Sequence, residues 1–340
     1  MTWYATFRSS FFAEWSRRKL AEAPEAATPH AAWPALRCPL LPEPPSSAPA
    51  NPAAGGRAVD SGIVSSVYGF GVFVGQAYGR LYGLPTSAIR SRADFCGRFN
   101  LGISLFDFVC DETRGDDLGA LRRLPSLRMF TGTAEARPAV VDPTLRLLDR
   151  VAESVLAQLT DELGPARRRS ALWRAIFAMF EAQLMRAGAD TSRLGDGRDM
   201  RAALRLTSAE PFRVMSEWMA RGGSTSVATL RRAAAFGLCV GDCYWLIDDA
   251  KDVWDDLYAG RWNRFLLDAK AAEPTIPLAR PTPILEARLM DVWRRERTAE
   301  RAARHAVVRL ARALEDLGVS QRRARQPMAR FHASMRAWYG

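Results

Sequence analysis

Gly241-Asp-Cys-Tyr-Trp-Leu-Ile-Asp-Asp-Ala-Lys-Asp-Val-Trp-Asp-Asp256, running on through Leu-Tyr-Ala-Gly260 to Arg261-Trp-Asn263, is the stretch the rest of the chain has to serve. Five carboxylates fall within nine residues, directly after an apolar run from Ala233 to Ile247 that reads as helix. Residues four apart on a helix sit one above the other, so Asp248, Asp252 and Asp256 form one acidic stripe. Like charges at that spacing weaken a helix, and partial burial adds desolvation to repulsion. The stripe calls for a positive partner.

A divalent cation is the natural one. The three histidines, His30, His305 and His332, are scattered, and the five cysteines form no C-x-x-C pair, so a zinc or iron site has no ligands to use. An all-oxygen carboxylate site suits Mg²⁺ or Mn²⁺, hard ions that keep several waters and bridge to substrate phosphates. The alternative is a solvated acidic helix face.

At 340 residues the chain has ample material for a core. Its net charge of +11 comes almost wholly from arginine, since only Lys19, Lys251 and Lys270 are lysines. No basic block with interleaved aromatics exists, which argues against nucleic acid and leaves a polyanionic small molecule open. The odd cysteine number fits a reducing cytoplasm rather than a disulfide scaffold. Met1 to Leu20 lacks the apolar core and cleavage site of a secretory signal. Ser61 to Gly79, uncharged but rich in Gly, reads as a buried helix rather than a transmembrane anchor.

Trp3, Phe7, Phe11 and Trp15 recur every four residues, an amphipathic helix that either lies on a membrane surface or folds back over the body as a lid; folding back is the expectation. Ala21 to Arg57 is Ala/Pro-rich, a linker or wrapped arm, which makes 1–57 an N-terminal extension and 58–340 the body. From Ala58 onward the periodicity predicts helices over 61–82, 87–114, 143–163, 165–187, 199–221 with a weak point at 207–211, 224–258, 283–317 and 321–339. Alternating β-branched runs are absent, so the fold class is all-α, a single-domain helical bundle.

A second acidic cluster decides between metal site and solvated face. Phe99-Asn-Leu-Gly-Ile-Ser-Leu-Phe-Asp107-Phe-Val-Cys-Asp111-Glu112 again puts carboxylates at i and i+4 after an apolar helix. If both helices end at one mouth of the bundle, their carboxylates face each other across a pocket and hold a cluster of metal ions.

At these residues the chain resembles the class I isoprenoid synthases, and within them the bacterial and fungal class I terpene cyclases. Their D-D-x-x-D-E motif is similar to Asp107-Phe-Val-Cys-Asp111-Glu112, with Phe108 in place of the second Asp. Their (N/D)-D-x-x-(S/T)-x-x-x-E motif, with its following Gly and Asn, is similar to Asp248-Asp249-Ala-Lys-Asp252-Val-Trp-Asp-Asp256, Gly260 and Asn263, with Asp at both the hydroxyl and the Glu positions. The same stretch also resembles G-x-x-F-Q-x-x-D-D-x-x-D of chain-elongating prenyl diphosphate synthases, through Gly241, Tyr244, Trp245, Asp248, Asp249 and Asp252.

The resemblance implies a helical bundle with a central active-site cavity, a prenyl diphosphate substrate of farnesyl or geranylgeranyl length, and Mg²⁺ ions held by Asp107, Asp111, Glu112, Asp248, Asp249, Asp252 and Asp256. It implies a diphosphate-sensing arginine in Met200-Arg-Ala-Ala-Leu-Arg205-Leu-Thr-Ser208-Ala-Glu-Pro211, at Arg205 with Arg201 as the other candidate, and further substrate contacts from Lys251, Arg330, Arg336 and Tyr339. The cation formed on ionisation would then sit among Phe70, Phe73, Phe95, Phe99, Phe106, Trp173, Phe177, Phe180, Tyr244 and Trp245, of which only a few line a cavity. Cyclisation is the expected outcome, with Asp107, Asp248, Asp252 and Arg205 carrying it as a monomer or homodimer. Chain elongation is the alternative, disfavoured because the second basic site it requires ahead of the first motif finds only Arg90 and Arg92 as candidates and no lysine lies between Lys19 and Lys251. A non-catalytic helical binding protein is the third reading.

Overall fold

The computed structural model describes residues 3–20, 38–40, 60–112, 143–165, 168, 170–188, 198–224, 226–278 and 281–338. Among them are twelve α-helices and no strand. In chain order these are α1 (Trp3–Arg17), α2 (Ser61–Tyr82), α3 (Thr86–Glu112), α4 (Pro143–Leu163), α5 (Ala171–Gly188) and α6 (Arg198–Ser208). They continue as α7 (Glu210–Arg221), α8 (Val227–Ala259), α9 (Arg264–Ala272), α10 (Pro283–Arg295), α11 (Thr298–Asp316) and α12 (Gln321–Trp338).

Two close helix pairs frame the site. Helix α2, uncharged from Ser61 to Gly79, packs on α3 along its glycines: a Cβ built on Gly71 would lie 2.3 Å from the Cys96 carbonyl oxygen. Absent side chains let the two backbones approach, which explains the glycine content of this helix without a membrane. Among the described residues no helix is long and apolar enough to cross one. The second pair is α7 on α8, where Gly237 and Gly241, four apart, accept the α7 backbone. Their Cβ positions fall 2.4 Å from Ser216 Cβ and 2.4 Å from the Ala209 carbonyl oxygen respectively.

Helix α8 stops where its sequence says it should. Gly260 takes the left-handed conformation at φ 67° that a side chain disfavours, and its N–H bonds to the Asp256 and Leu257 carbonyls. Asn263, fully buried, then caps α9 by accepting from the Phe265 N–H at 2.9 Å. The same side chain donates to the Asp249 carbonyl and to Asp256 Oδ2, each at 2.8 Å. The Gly260 and Asn263 noted in the sequence therefore fix the turn that follows the acidic stripe.

The weak point expected at 207–211 is a break between α6 and α7 at Ala209. The continuous helix expected over 283–317 is not found: α10 and α11 are separated at Arg297, which adopts a left-handed φ of 49°. No glycine or proline marks that break, so composition gives no warning of it. Helix α9 was likewise absent from the expected elements. Helix α1 folds back on the bundle, packed against α11 and α8, with Trp3, Phe7, Phe11 and Trp15 all buried. Trp3 stacks at 4.5 Å on Trp293, and both Trp3 and Phe7 meet Phe265 edge-on.

Candidate active site

Helices α3 and α8 each run apolar for several turns and turn acidic at their C-terminal ends, and α5 stands between those ends. On α5 the residues Gln183 and Arg186, three apart, share a face. Gln183 Nε2 donates to Asp107 Oδ1, and Arg186 Nη1 lies 3.9 Å from the same oxygen. Arg186 Nη1 also donates to Gln183 Oε1 at 3.2 Å and to Thr207 Oγ1, at the end of α6, at 2.8 Å. Its positive charge reaches the Asp249 carboxyl on α8 as well. Arg186 thus lies against the acidic end of α3 and acts through its charge on the acidic end of α8.

Within the α8 stripe the carboxylates have different surroundings. Asp249 is buried, and its Oδ2 accepts from the Arg264 N–H at 2.8 Å. Burial pushes its carboxyl up to about 8 against that hydrogen bond, with Asp248 and Asp256 adding to the rise. Asp256 uses both oxygens in the turn, Oδ1 toward Arg261 Nε at 2.9 Å and Oδ2 toward Asn263. Asp248 is exposed and Asp252 partly so, and burial also raises the Asp252 carboxyl, partly offset by Lys251, itself exposed. Tyr4 of α1 senses Asp252 electrostatically, which places the N-terminal helix near the stripe. The side chains of Asp111 and Glu112 lie outside the described residues, and among those described no three acidic, histidine or cysteine side chains are gathered as a metal-binding group.

Arg205 is committed to a partner that the sequence reading missed. Its Nε and Nη2 bond both oxygens of Asp242 at 3.0 Å, and Arg309 Nη1 reaches Asp242 Oδ2 at 3.0 Å. Asp242 is 5% exposed, a buried carboxylate held between two arginines. Arg201 pairs with Asp268 at 2.6 Å. A lone carboxylate inside an apolar helical run was a legible signal for Asp242. Gln183 and Arg186 gave none, because a polar pair near a helix end reads as a solvated face.

The adjacent Tyr244 and Trp245 diverge. Tyr244 stacks on Phe212 at 4.8 Å, meets Phe70 edge-on at 5.5 Å and donates to Ser334 Oγ at 2.9 Å, facing α2, α7 and α12. Trp245 turns toward α5, α6 and α9, with the Arg264 guanidinium 5.1 Å from its ring. Phe106 packs edge-on against Phe180 at 4.8 Å beside Gln183 and Thr207, in a crevice of about 10 Å³. That is room for about one water. Phe95 and Phe99 stack on each other, and Phe95 lies 4.0 Å from Trp218, in the core between α3 and α7. Larger clefts of about 460 and 560 Å³ lie between α9 and α11 and around the α7–α8 connection, and neither is lined by the acidic stripe. Arg330 covers the Phe73 ring at 4.9 Å and Arg336 the Phe12 ring at 5.5 Å, while Tyr339 lies outside the described residues.

No family model matches the chain, and no curated protein matches it. Solved structures do. A polyprenyl synthase from Caulobacter crescentus CB15, crystallised with calcium and isoprenyl diphosphate, superposes with a TM-score of 0.52 at 18% identity over 98% of this chain and 97% of that one. A geranylgeranyl pyrophosphate synthase gives a TM-score of 0.50 at 12% identity over 95% of each chain. The chain therefore has the all-helical isoprenoid synthase fold.

Proposed function

We propose that this protein is a metal-dependent enzyme that ionises an allylic prenyl diphosphate and transfers the prenyl group to a second isoprenoid diphosphate. The observation that carries the reading is Arg186 of α5, set against Asp107 at the acidic end of α3 while its charge acts on Asp249 at the acidic end of α8, within an all-helical bundle. The two solved relatives are both named as synthases of prenyl chains, which favours transfer over the cyclisation expected from the sequence.

The donor set fits Mg²⁺ or Mn²⁺. It consists of carboxylate oxygens; burial is the first cause that raises Asp249 and Asp252, and the neighbouring carboxylates add to the rise, a contribution that a hard cation relieves. Asp107, Asp248 and Asp252, the more exposed members, would hold the ions, with Asp111 and Glu112 beside Asp107; Asp249 and Asp256 brace the turn behind them. Bound there, divalent ions would supply the charge that stabilises the departing diphosphate.

The remaining steps fall to the chain itself. Arg205, oriented by Asp242, is the candidate for further diphosphate hydrogen bonds, with Arg201, which pairs with Asp268, and Lys251, inside the second acidic motif, as the other candidates. As the C–O bond breaks, its electron pair leaves with the diphosphate, the acceptor double bond attacks the allylic cation, and the new cation loses a proton. Phe106 and Phe180, beside Gln183, are the rings set by the Asp107 end of α3, and an aromatic face stabilises positive charge by about 0.5–2 kcal/mol without trapping it as a nucleophile would.

Cyclisation stands as the second reading because of one observation. Transfer needs a basic site for the acceptor diphosphate, and Arg92, on α3 ahead of the first motif, is occupied with the Trp218 carbonyl at 2.7 Å and Glu162 at 3.0 Å. The experiment is a product assay with Mg²⁺ and geranyl, farnesyl or geranylgeranyl diphosphate, each with and without isopentenyl diphosphate. Longer diphosphates that appear only with isopentenyl diphosphate are expected. Hydrocarbons or alcohols without it would establish cyclisation, and no turnover of any substrate would refute both. Asp107→Asn and Asp248→Asn should each abolish turnover; full activity in both would remove the metal assignment.

A further inference from the structure

The residue that joins the two acidic ends is a cation with unfinished hydrogen bonding. Arg186 Nη1 is shared among Asp107, Gln183 and Thr207, but its Nε is shut away from solvent and has no hydrogen-bond partner. A charged donor in that condition is costly to leave unmade, so the position calls for an acceptor. The Asp107 contact, at 3.9 Å, is an ion pair beyond hydrogen-bond distance, and Asp107 is 46% exposed, so solvent screens the pair. The guanidinium lies 3.9 Å from the Asp107 carboxylate of α3 and its charge acts on Asp249 of α8, where an anionic group bound between those helix ends would arrive.

We propose that Arg186 is a diphosphate-binding residue of this site, kept near Asp107 when the site is empty and passed to the diphosphate when Asp107 turns to metal. The inference rests on the prenyl diphosphate reading above. A planar guanidinium already braced by Gln183 and Thr207 is pre-oriented to give a charge-assisted, two-pronged contact to a phosphate oxygen pair. The same group competes with metal for Asp107, so its effects on metal binding and on diphosphate binding have opposite signs.

The test measures binding, not turnover. Inorganic pyrophosphate is titrated calorimetrically into the full-length protein in Mg²⁺, and Mn²⁺ is titrated without pyrophosphate by electron paramagnetic resonance, for wild type, Arg186→Gln and Arg186→Lys. Arg186→Gln is expected to weaken pyrophosphate about ten- to a hundredfold, while binding Mn²⁺ as well as or better than wild type. Arg186→Lys should fall between for pyrophosphate, and it supplies the measurement if Arg186→Gln does not fold. Equal pyrophosphate affinity in wild type and variants overturns the role of Arg186 and leaves the enzyme reading standing. Parallel loss of Mn²⁺ and pyrophosphate overturns it too, because that is what a purely structural brace would do. A wild type that binds no pyrophosphate in Mg²⁺ overturns this inference together with the reading beneath it.

Discussion

Replacing Gly241 by Ala sets two effects of known sign against each other. In the interior of α8, alanine is the better helix former by about 1 kcal/mol, which favours the variant. Against this, the added Cβ would lie 2.4 Å from the Ala209 carbonyl oxygen and 2.7 Å from Ala209 Cα. These are backbone atoms at the break between α6 and α7, so no rotamer change relieves the clash, and overpacking of this kind costs about 1–3 kcal/mol. The steric term wins. With two backbone atoms in the way the cost lies at the upper end, so about 3 less about 1 leaves about 2 kcal/mol, and at some 2–4 °C per kcal/mol for domains of about 150–250 residues, somewhat less for larger chains, a drop of roughly 4–8 °C in Tm is expected, toward the lower figure. Gly102→Ala on α3 is the control, since its Cβ meets only Val151 Cγ1 at 3.3 Å, a side-chain atom that can give way. That variant should melt at or above the wild-type temperature. The assay is thermal unfolding followed by circular dichroism. If Gly241→Ala melts with Gly102→Ala at or above wild type, the reasoning that Gly241 sets the distance between α8 and the α6–α7 break is refuted. The consequence reaches the site, because the next residue, Asp242, is the one that holds Arg205 and Arg309.

Two pH predictions follow from buried titrating groups. Asp249 has its folded-state value raised to about 8, so between its unfolded value near 4 and about 8 the folded protein holds the extra proton. Stability without metal should therefore fall as pH rises through that window, and Asp249→Asn should flatten the fall in melts at pH 5, 7 and 9 in chelator-treated buffer; an unchanged slope would contradict the burial of this carboxyl. His332, packed against Phe12 and Trp15 of α1, has its value lowered to about 4 by burial, with Arg336 adding to the shift. The neutral ring is the folded form, so its contribution is lost as pH drops from about 6.5 toward 4. Melting temperatures of wild type should drop over that range more than those of His332→Phe, and parallel curves would refute the assignment.

Much was legible in the chain before any coordinates. The acidic stripe after Ala233–Ile247 and the second cluster after Phe99–Phe106 were visible because a helix repeats every three to four residues and both apolar runs end in carboxylates at that spacing. The helical body, the break at 207–211 and the α8 stop at Gly260 were visible because glycine and proline punctuate local structure for reasons that need no tertiary context. The break at Arg297 was not, since a left-handed arginine is imposed by packing rather than announced by residue type.

What only the tertiary structure decided is which charges meet. Arg186, Gln183, Thr207 and Asp107 come from three helices, and neither hydrophobic period nor spacing relates them. Arg205 looked free to face a diphosphate, but Asp242 and Arg309 lie on helices far along the chain, and their pairing exists only once α6, α8 and α11 have packed. Within the stripe itself the sequence makes Asp248, Asp249, Asp252 and Asp256 look equivalent, yet the α8–α9 turn buries Asp249 and engages Asp256 while leaving Asp248 exposed. Periodicity places carboxylates on a face; desolvation and partners, which depend on what lies across from that face, determine what each of them does.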